Sequence, residues 1–214
     1  MSNNPEGLLK RYVPETIDDF WDMLLPNRCD GCSLSKSRSQ IVKNRGNGDN
    51  GIFIVGQNPG KNEDEQGIPF IGNAGKLLDE MLIESNINPN QCWFSNACKC
   101  HSKDNQTPNK NQINTCKPLL IEETEILDPL IIVTVGKPAY SAVSGDFDDR
   151  VSMKHIAGNV MESKELFRNF VPIYHPAYLL RLKEQSQYDY IYEQTIESLF
   201  LIKMIAEIEK ESRA

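Results

Sequence analysis

Six cysteines occur in this chain of 214 residues, and four of them fall into two separated pairs: Cys29 and Cys32 as C-D-G-C, then Cys100 and Cys116 much further on. The opening MSNNPEGLLK lacks the apolar stretch of a secretory signal, so the thiols are expected to stay reduced and to act as metal ligands before disulfides. Four thiolates at this spacing suit zinc, or iron with sulfide, in a site that staples two distant segments together. A second group of residues invites chemistry of another kind. Gly56-Gln57-Asn58-Pro59-Gly60, Phe70 within a Gly67-to-Gly75 stretch, Asn96 after Phe94-Ser95, and His175 before Pro176-Ala177-Tyr178-Leu179-Leu180-Arg181 combine carboxamides, an imidazole and glycine-rich backbone. Carboxamides and imidazoles can read or polarise a ligand, and glycine-rich backbone lets amides approach it closely.

Each of these residues has a plainer reading. A lone strand-end histidine is as often structural, an asparagine there more often ends a strand in a turn, and Phe70 between Pro69 and Ile71 packs by default. Gly72-Asn73-Ala74-Gly75-Lys76 lacks two parts of a phosphate loop. Its first glycine would fall at Phe70, and Leu77 replaces the magnesium-binding Ser or Thr, which excludes a nucleotide triphosphatase.

The elements that must position these residues alternate. Ile52–Val55, Cys92–Asn96 and Leu130–Val135 are short apolar runs of the kind buried on both faces of a parallel sheet. Phe170–Tyr174 is a fourth, weaker strand, because Pro172 demotes it toward an edge. Helices are expected over Gly75–Glu84, from an N-cap at Thr107-Pro108 through Ile113, Leu120 and Ile126 with a distortion at Pro118, after Gly136, and over residues 188–210. Residues 1–27 are assigned as an N-terminal helical extension, and the whole of 1–214 as one domain. The βαβαβαβ order implies a parallel sheet with helices on both faces, whose ligand sits beyond the carboxyl ends of the strands. Three of the polar groups above fall there.

A net charge of −7 argues mildly against nucleic acid, but the distribution argues the other way. Residues 33–47 contain Lys36, Arg38, Lys43 and Arg45 with no acid, and Lys99, Lys103, Lys110 and Lys117 face Asp104 alone, so both basic stretches adjoin cysteine pairs. Lys36, Arg38, Lys99 and Lys103 are read as a basic surface beside the metal site. No run reaches transmembrane length, and a cytoplasmic monomer with no membrane partner is expected.

The ordered motifs G-Q-N-P-G-x-x-E-D, G-x-P-F-x-G-x-A-G-x-L-L, F-S-N-x-x-K-C, C-x-P-L and H-P-A-Y-L-L-R, with the cysteine set, resemble those of the iron-sulfur uracil-DNA glycosylases, family 4. The resemblance runs from Cys29 to Arg181. It implies a three-layer α/β/α sandwich around a four-stranded parallel sheet, a [4Fe-4S] cluster on Cys29, Cys32, Cys100 and Cys116, and excision of uracil from single- or double-stranded DNA. The first motif departs from the family: Gln57 replaces the usual Glu, and Asn58 the usual Ala or Gly. Cluster-free and mismatch-specific relatives carry Asp or Asn at the latter position.

The resemblance implies a role for each site residue. Asn96 would pair with uracil O4 and N3–H, Phe70 would stack on the base, and Gln57 would help bind it. His175 would hydrogen-bond the anion developing at O2, and Asn58 would orient water. Pro59, Gly60, Pro176, Tyr178, Leu179 and Arg181 would hold DNA, with Leu179 and Leu180 as a wedge or, alternatively, as inward-packing helix residues. Zinc stays the alternative metal, and Cys98 reads as a packing thiol. A non-catalytic DNA- or uracil-binding module, or a glycosylase for another deaminated or mismatched base, are the alternative functions.

Overall fold

The computed structural model describes residues 16–24, 29 and 31–214. Most of the expected extension over 1–27 therefore lies outside the described residues, apart from a helix α1 at Ile17–Leu24. The described elements then run β1 (Ile52–Gly56), α2 (Lys61–Gln66), α3 (Asn73–Glu84), β2 (Trp93–Asn96), α4 (Lys110–Leu127), β3 (Ile131–Val135) and α5 (Lys137–Ser144). They continue with α6 (Met153–Ile156), β4 (Met161–Ser163), β5 (Arg168–Ile173), α7 (Pro176–Leu182) and α8 (Tyr188–Ser212).

The four expected parallel strands are all present, in the order β2-β1-β3-β5, and a short antiparallel β4 extends the sheet beyond β5. Side chains alternate across it as a strand's period of two requires. Ile52 and Ile54 face a core shared with Leu78, Leu82, Leu179 and Leu199, whereas Phe53 and Val55 face one shared with Phe20, Ile113, Leu120 and Tyr140. Helices α3, α7 and α8 thus cover one face and α1, α4 and α5 the other, which is the three-layer sandwich. Among the described residues no helix is long and apolar enough to cross a membrane.

Two local expectations are corrected. Pro172 does not push its strand to the edge, because β5 lies between β3 and β4 with Pro172 opposite Thr134. The Pro172 carbonyl accepts from Gly158 N at 2.9 Å, on the side away from β3. A strand residue presents N–H and C=O to the same side, so the missing donor falls past the end of β4 and costs the β3 ladder nothing. Helix α4 starts at Lys110, not at Thr107-Pro108. Asn109 accepts from Gln112 N at 3.0 Å while the Gln112 side chain accepts from Asn109 N at 2.9 Å, a reciprocal cap that outcompetes the threonine.

The outer edge of β2 is covered by the chain between residues 39 and 46. Val42 N donates to Lys99 O at 2.8 Å, and Arg45 forms an antiparallel bridge with Phe94. Asp64 anchors the start of this segment by accepting from Ser39 N at 2.8 Å, and a bidentate Arg45–Asp79 pair at 2.7 Å anchors its end.

Candidate active site

Strands β1 and β2 end side by side, with Gly56 opposite Asn96, and β1 is also the point from which the strand order runs both ways. Crevices at such a switch point collect ligands. A cavity of about 270 Å³ opens there, and its walls include Gln57, Asn58, Phe70, Asn96 and His175. The structure therefore brings together every residue expected to touch the base or the water.

Small residues make this convergence possible. A Cβ on Gly56 would lie 2.3 Å from Asn96 Oδ1 and 2.6 Å from the Phe70 ring, and one on Gly75 would lie 1.9 Å from the Phe70 carbonyl. Phe70 itself has φ 57°. A left-handed aromatic residue is a strained choice of the kind found at ligand clamps. Its ring packs 5.4 Å from Phe94 at a 57° tilt, which fixes the face it presents to the cavity. Glu63 ties the two glycine loops, accepting from Gly72 N at 2.9 Å.

Asn58 is held in one orientation. Its Nδ2 donates to Ser102 Oγ at 3.1 Å, and Ser102 Oγ in turn donates to the Gln106 carbonyl, so the serine has only acceptor capacity left for Asn58. Asn58 Oδ1 is buried with no partner among the described residues. A buried acceptor left open costs about 1–3 kcal/mol, so it is placed for a water or ligand. His101 Nδ1 lies 2.9 Å from the Pro59 carbonyl and braces the same loop.

His175 caps α7: its Nδ1 accepts from Ala177 N at 3.1 Å. The ring is thus the tautomer that carries its proton on Nε2. Burial, then the nearby Arg181 charge, lowers its pKa to about 4. The group is a neutral donor at pH 7.

Behind Asn96 lies an ion pair absent from the sequence reading. The Lys99 ammonium donates to the main-chain carbonyl of Asn96 at 2.7 Å and to Ser95 Oγ at 2.6 Å, and pairs with Glu123 of α4. Both side chains are fully buried. This corrects the assignment of Lys99 to a DNA-facing surface, since its charge is spent inside. Arg38 likewise turns inward, donating to Cys100 Sγ at 3.2 Å and to the Cys29 carbonyl at 2.9 Å, while Lys36 and Lys103 are exposed. Ser102, Lys99 and Glu123 could not be found by spacing, because their roles depend on contacts between segments remote in sequence. The only sequence signal was Lys99 itself, a lysine among buried cysteines.

Of the expected DNA-contact residues, Pro59 and Gly60 line the cavity, Pro176 opens α7, and Arg181 is exposed beside Tyr178. Leu179 is completely buried in the core, so its assignment to the DNA surface is corrected. The packing of α7 against α3 and α8 turns it inward, and Leu180, 37% exposed, is the apolar side chain at the surface.

The four expected ligand cysteines line one further cavity of about 70 Å³, with Lys99, Leu34 and Leu119 among its walls. Among the described residues no group of three or more His, Cys, Asp or Glu side chains is arranged to hold a metal ion. Their chemistry nevertheless fits a thiolate-bound group, because Arg38 donates to Cys100 Sγ and Lys99 N lies 3.4 Å from Cys116 Sγ. Cys98 donates to Cys116, which raises its own pKa and lowers that of Cys116. It does not line the cavity.

The family model of the Uracil DNA glycosylase superfamily matches residues 44–197. The type-4 uracil-DNA glycosylase of Thermotoga maritima is 37% identical over 155 residues, which span 72% of this chain and 79% of the relative. The corresponding protein of Archaeoglobus fulgidus is 31% identical over 182 residues, 82% of this chain and 90% of the relative. That of Pyrobaculum aerophilum is 34% identical over 167 residues, 73% and 82% respectively.

Proposed function

The chain belongs to the uracil-DNA glycosylase superfamily, and from that premise we propose that it is a monofunctional glycosylase. It takes uracil out of DNA and hydrolyses the C1'–N1 bond, leaving an abasic site. One observation carries this reading: Asn58, Phe70, Asn96 and His175, from four separate stretches of sequence, meet at one cavity sized for a base.

An extrahelical uracil would stack on Phe70 and present its Watson–Crick edge to Asn96. The amide NH₂ donates to O4 and the carbonyl accepts from N3–H. Cytosine offers an amino group and an unprotonated N3 at those positions and leaves buried polar groups unpaired. Gln57 contributes to the base pocket. As C1'–N1 breaks, the electron pair moves to the leaving base and negative charge grows on O2. The His175 Nε2–H donates to it without giving up its proton, since losing that proton would leave an imidazolate, and Nδ1 stays the acceptor that caps α7. Asn58 Oδ1 orients a water toward C1', and that water supplies the hydroxyl while its proton leaves to solvent or the departing base. Pro59, Gly60, Pro176, Tyr178 and Arg181 would grip the strand on either side, and Leu180 takes the wedge position assigned to Leu179.

Cys29, Cys32, Cys100 and Cys116 would hold a [4Fe-4S] cluster, with zinc the alternative. Such a group supplies a covalent clamp here and no electron transfer, because no step above changes oxidation state. Iron and acid-labile sulfide analysis of the purified protein, against zinc, tests the assignment. We place the activity inside the cell, on single- or double-stranded DNA, with the protein as a monomer of one domain.

The test is incubation with oligonucleotides carrying one uracil, followed by alkali to cleave abasic sites. Strand breaks at the uracil position are expected. DNA that stays bound and uncut at stoichiometric enzyme would establish a non-catalytic binding module instead.

A further inference from the structure

Next to the base cavity lies a larger one of about 610 Å³. The two share His175, whose side chain is approached closely by Gly136 at φ 83°. The larger cavity is walled by aromatic rings and cations in a pattern that the uracil chemistry does not use. Tyr174, itself buried in the core, backs Tyr178 at 5.9 Å with their planes 20° apart, and Tyr190 stands 64% exposed. Lys137, Lys154 and Arg181 add three positive charges, and the Arg181 guanidinium lies 5.7 Å from the Tyr178 ring.

We propose that this groove binds the nucleotide adjacent to the extrahelical uracil, its base stacked on Tyr178 and Tyr190 and its phosphates on Lys137, Lys154 and Arg181. The inference rests on the glycosylase reading and extends it to a second subsite. Two observations select this occupant. The cations complement phosphate, and the groove adjoins the base cavity with His175 in the wall of both, so a strand that delivers uracil to one passes the other. Aromatic platforms with interleaved cations bind unpaired bases regardless of sequence. A neighbour that remains paired in a duplex cannot enter. The groove therefore makes the enzyme favour single strands or frayed ends.

The test uses the full-length protein and oligonucleotides with a 2'-fluoro-deoxyuridine, whose electronegative substituent resists cleavage. The base on its 5' or 3' side is replaced in turn by an abasic spacer, and Kd is read by fluorescence anisotropy for single strand and duplex. One spacer position should weaken single-strand binding by roughly 5- to 150-fold, the range expected of one stacked base. Tyr190→Ala should abolish that dependence and leave duplex binding unchanged. Lys154→Ala should lower the salt dependence of single-strand binding. If Tyr190→Ala changes neither substrate, or if spacers act equally on wild type and variant, the subsite is overturned and the groove carries at most phosphates. Cleavable duplex is assayed alongside: a protein that excises uracil but ignores its neighbour loses only the groove, and one that excises nothing loses the glycosylase reading itself.

Discussion

His175 is held neutral by burial and by Arg181, with a pKa lowered to about 4. The consequence for stability follows from linkage. The unfolded chain takes up a proton near the ordinary value of 6.5 and the folded chain does not, so stability is lost as pH falls from about 6.5 to about 4. Catalysis should follow the folded value. Single-turnover excision should stay flat through pH 6.5 and decline only as about pH 4–5 is approached, where Nδ1 must take a proton and release the Ala177 N–H. A titration of the rate near pH 6.5 would show that the imidazole works as an acid or base. His175→Ala should slow the step by about 10²–10³, the usual cost of one preorganised donor. Asn58 is a subtler case, since Ser102 decides which way its carboxamide points. Ser102→Ala removes one neutral hydrogen bond, worth about 0.5–1.5 kcal/mol. It should therefore reduce the single-turnover rate a few-fold at unchanged DNA affinity, less than Asn58→Ala does. Equal loss in both variants would mean that Ser102 acts by holding the loop.

Strand ends and helix starts deliver these residues, and most were readable in advance. The apolar runs of β1, β2 and β3 have no other stable home than a doubly covered sheet, so their polar successors had to share a rim. What escaped notice was set by partners remote in sequence. β4 is three residues, Met161–Ser163, with no alternation to see, and exists because β5 offers it an edge. Leu179 and Leu180 are adjacent apolar residues, and only the packing of α7 against α3 and α8 decides which one is buried. The Lys99–Glu123 pair joins the loop after β2 to α4, and its removal tests whether it positions Asn96 or only stabilises the fold. Glu123→Leu leaves the Lys99 ammonium buried and unpaired and should cost about 3–5 kcal/mol in urea unfolding. Lys99→Met with Glu123→Leu should recover most of that stability, because two charges leave the core together. The Asn96 main-chain carbonyl still loses the donor that holds this strand end in place, so discrimination of uracil from cytosine by the Asn96 side chain should fall even in the restored double variant. A double variant with unchanged discrimination would confine the pair to stability.

At the scale of the molecule, much of the basic charge beside the cysteines is spent inside the fold. Of the basic residues flanking the cysteines, Lys99 is neutralised inside, Arg45 is paired with Asp79 and Arg38 faces sulfur. The cations left facing outward at the strand ends are fewer than a count from sequence suggests. The thiol cavity then has a mechanical role. It joins Cys29 and Cys32, which precede the segment covering β2, to Cys100 beyond Asn96 and to Cys116 on α4. That segment has few apolar anchors of its own, chiefly Ile41 and Val42, and depends on hydrogen bonds at its margins. If the proposed cluster occupies these thiols, stripping it by chelation under mild denaturant should therefore release the segment before the sheet opens. Native-state hydrogen exchange reads this directly, because local openings report amide by amide. Val42 N and Arg45 N, which bond to Lys99 O and Phe94 O, should lose protection. Amides of β3, paired on both sides within the sheet, should keep theirs. Uracil binding should weaken in parallel, since Lys99 ties the released segment to Asn96. If β3 and Val42 lose protection together, the thiols support the whole core and not a clamp on one edge.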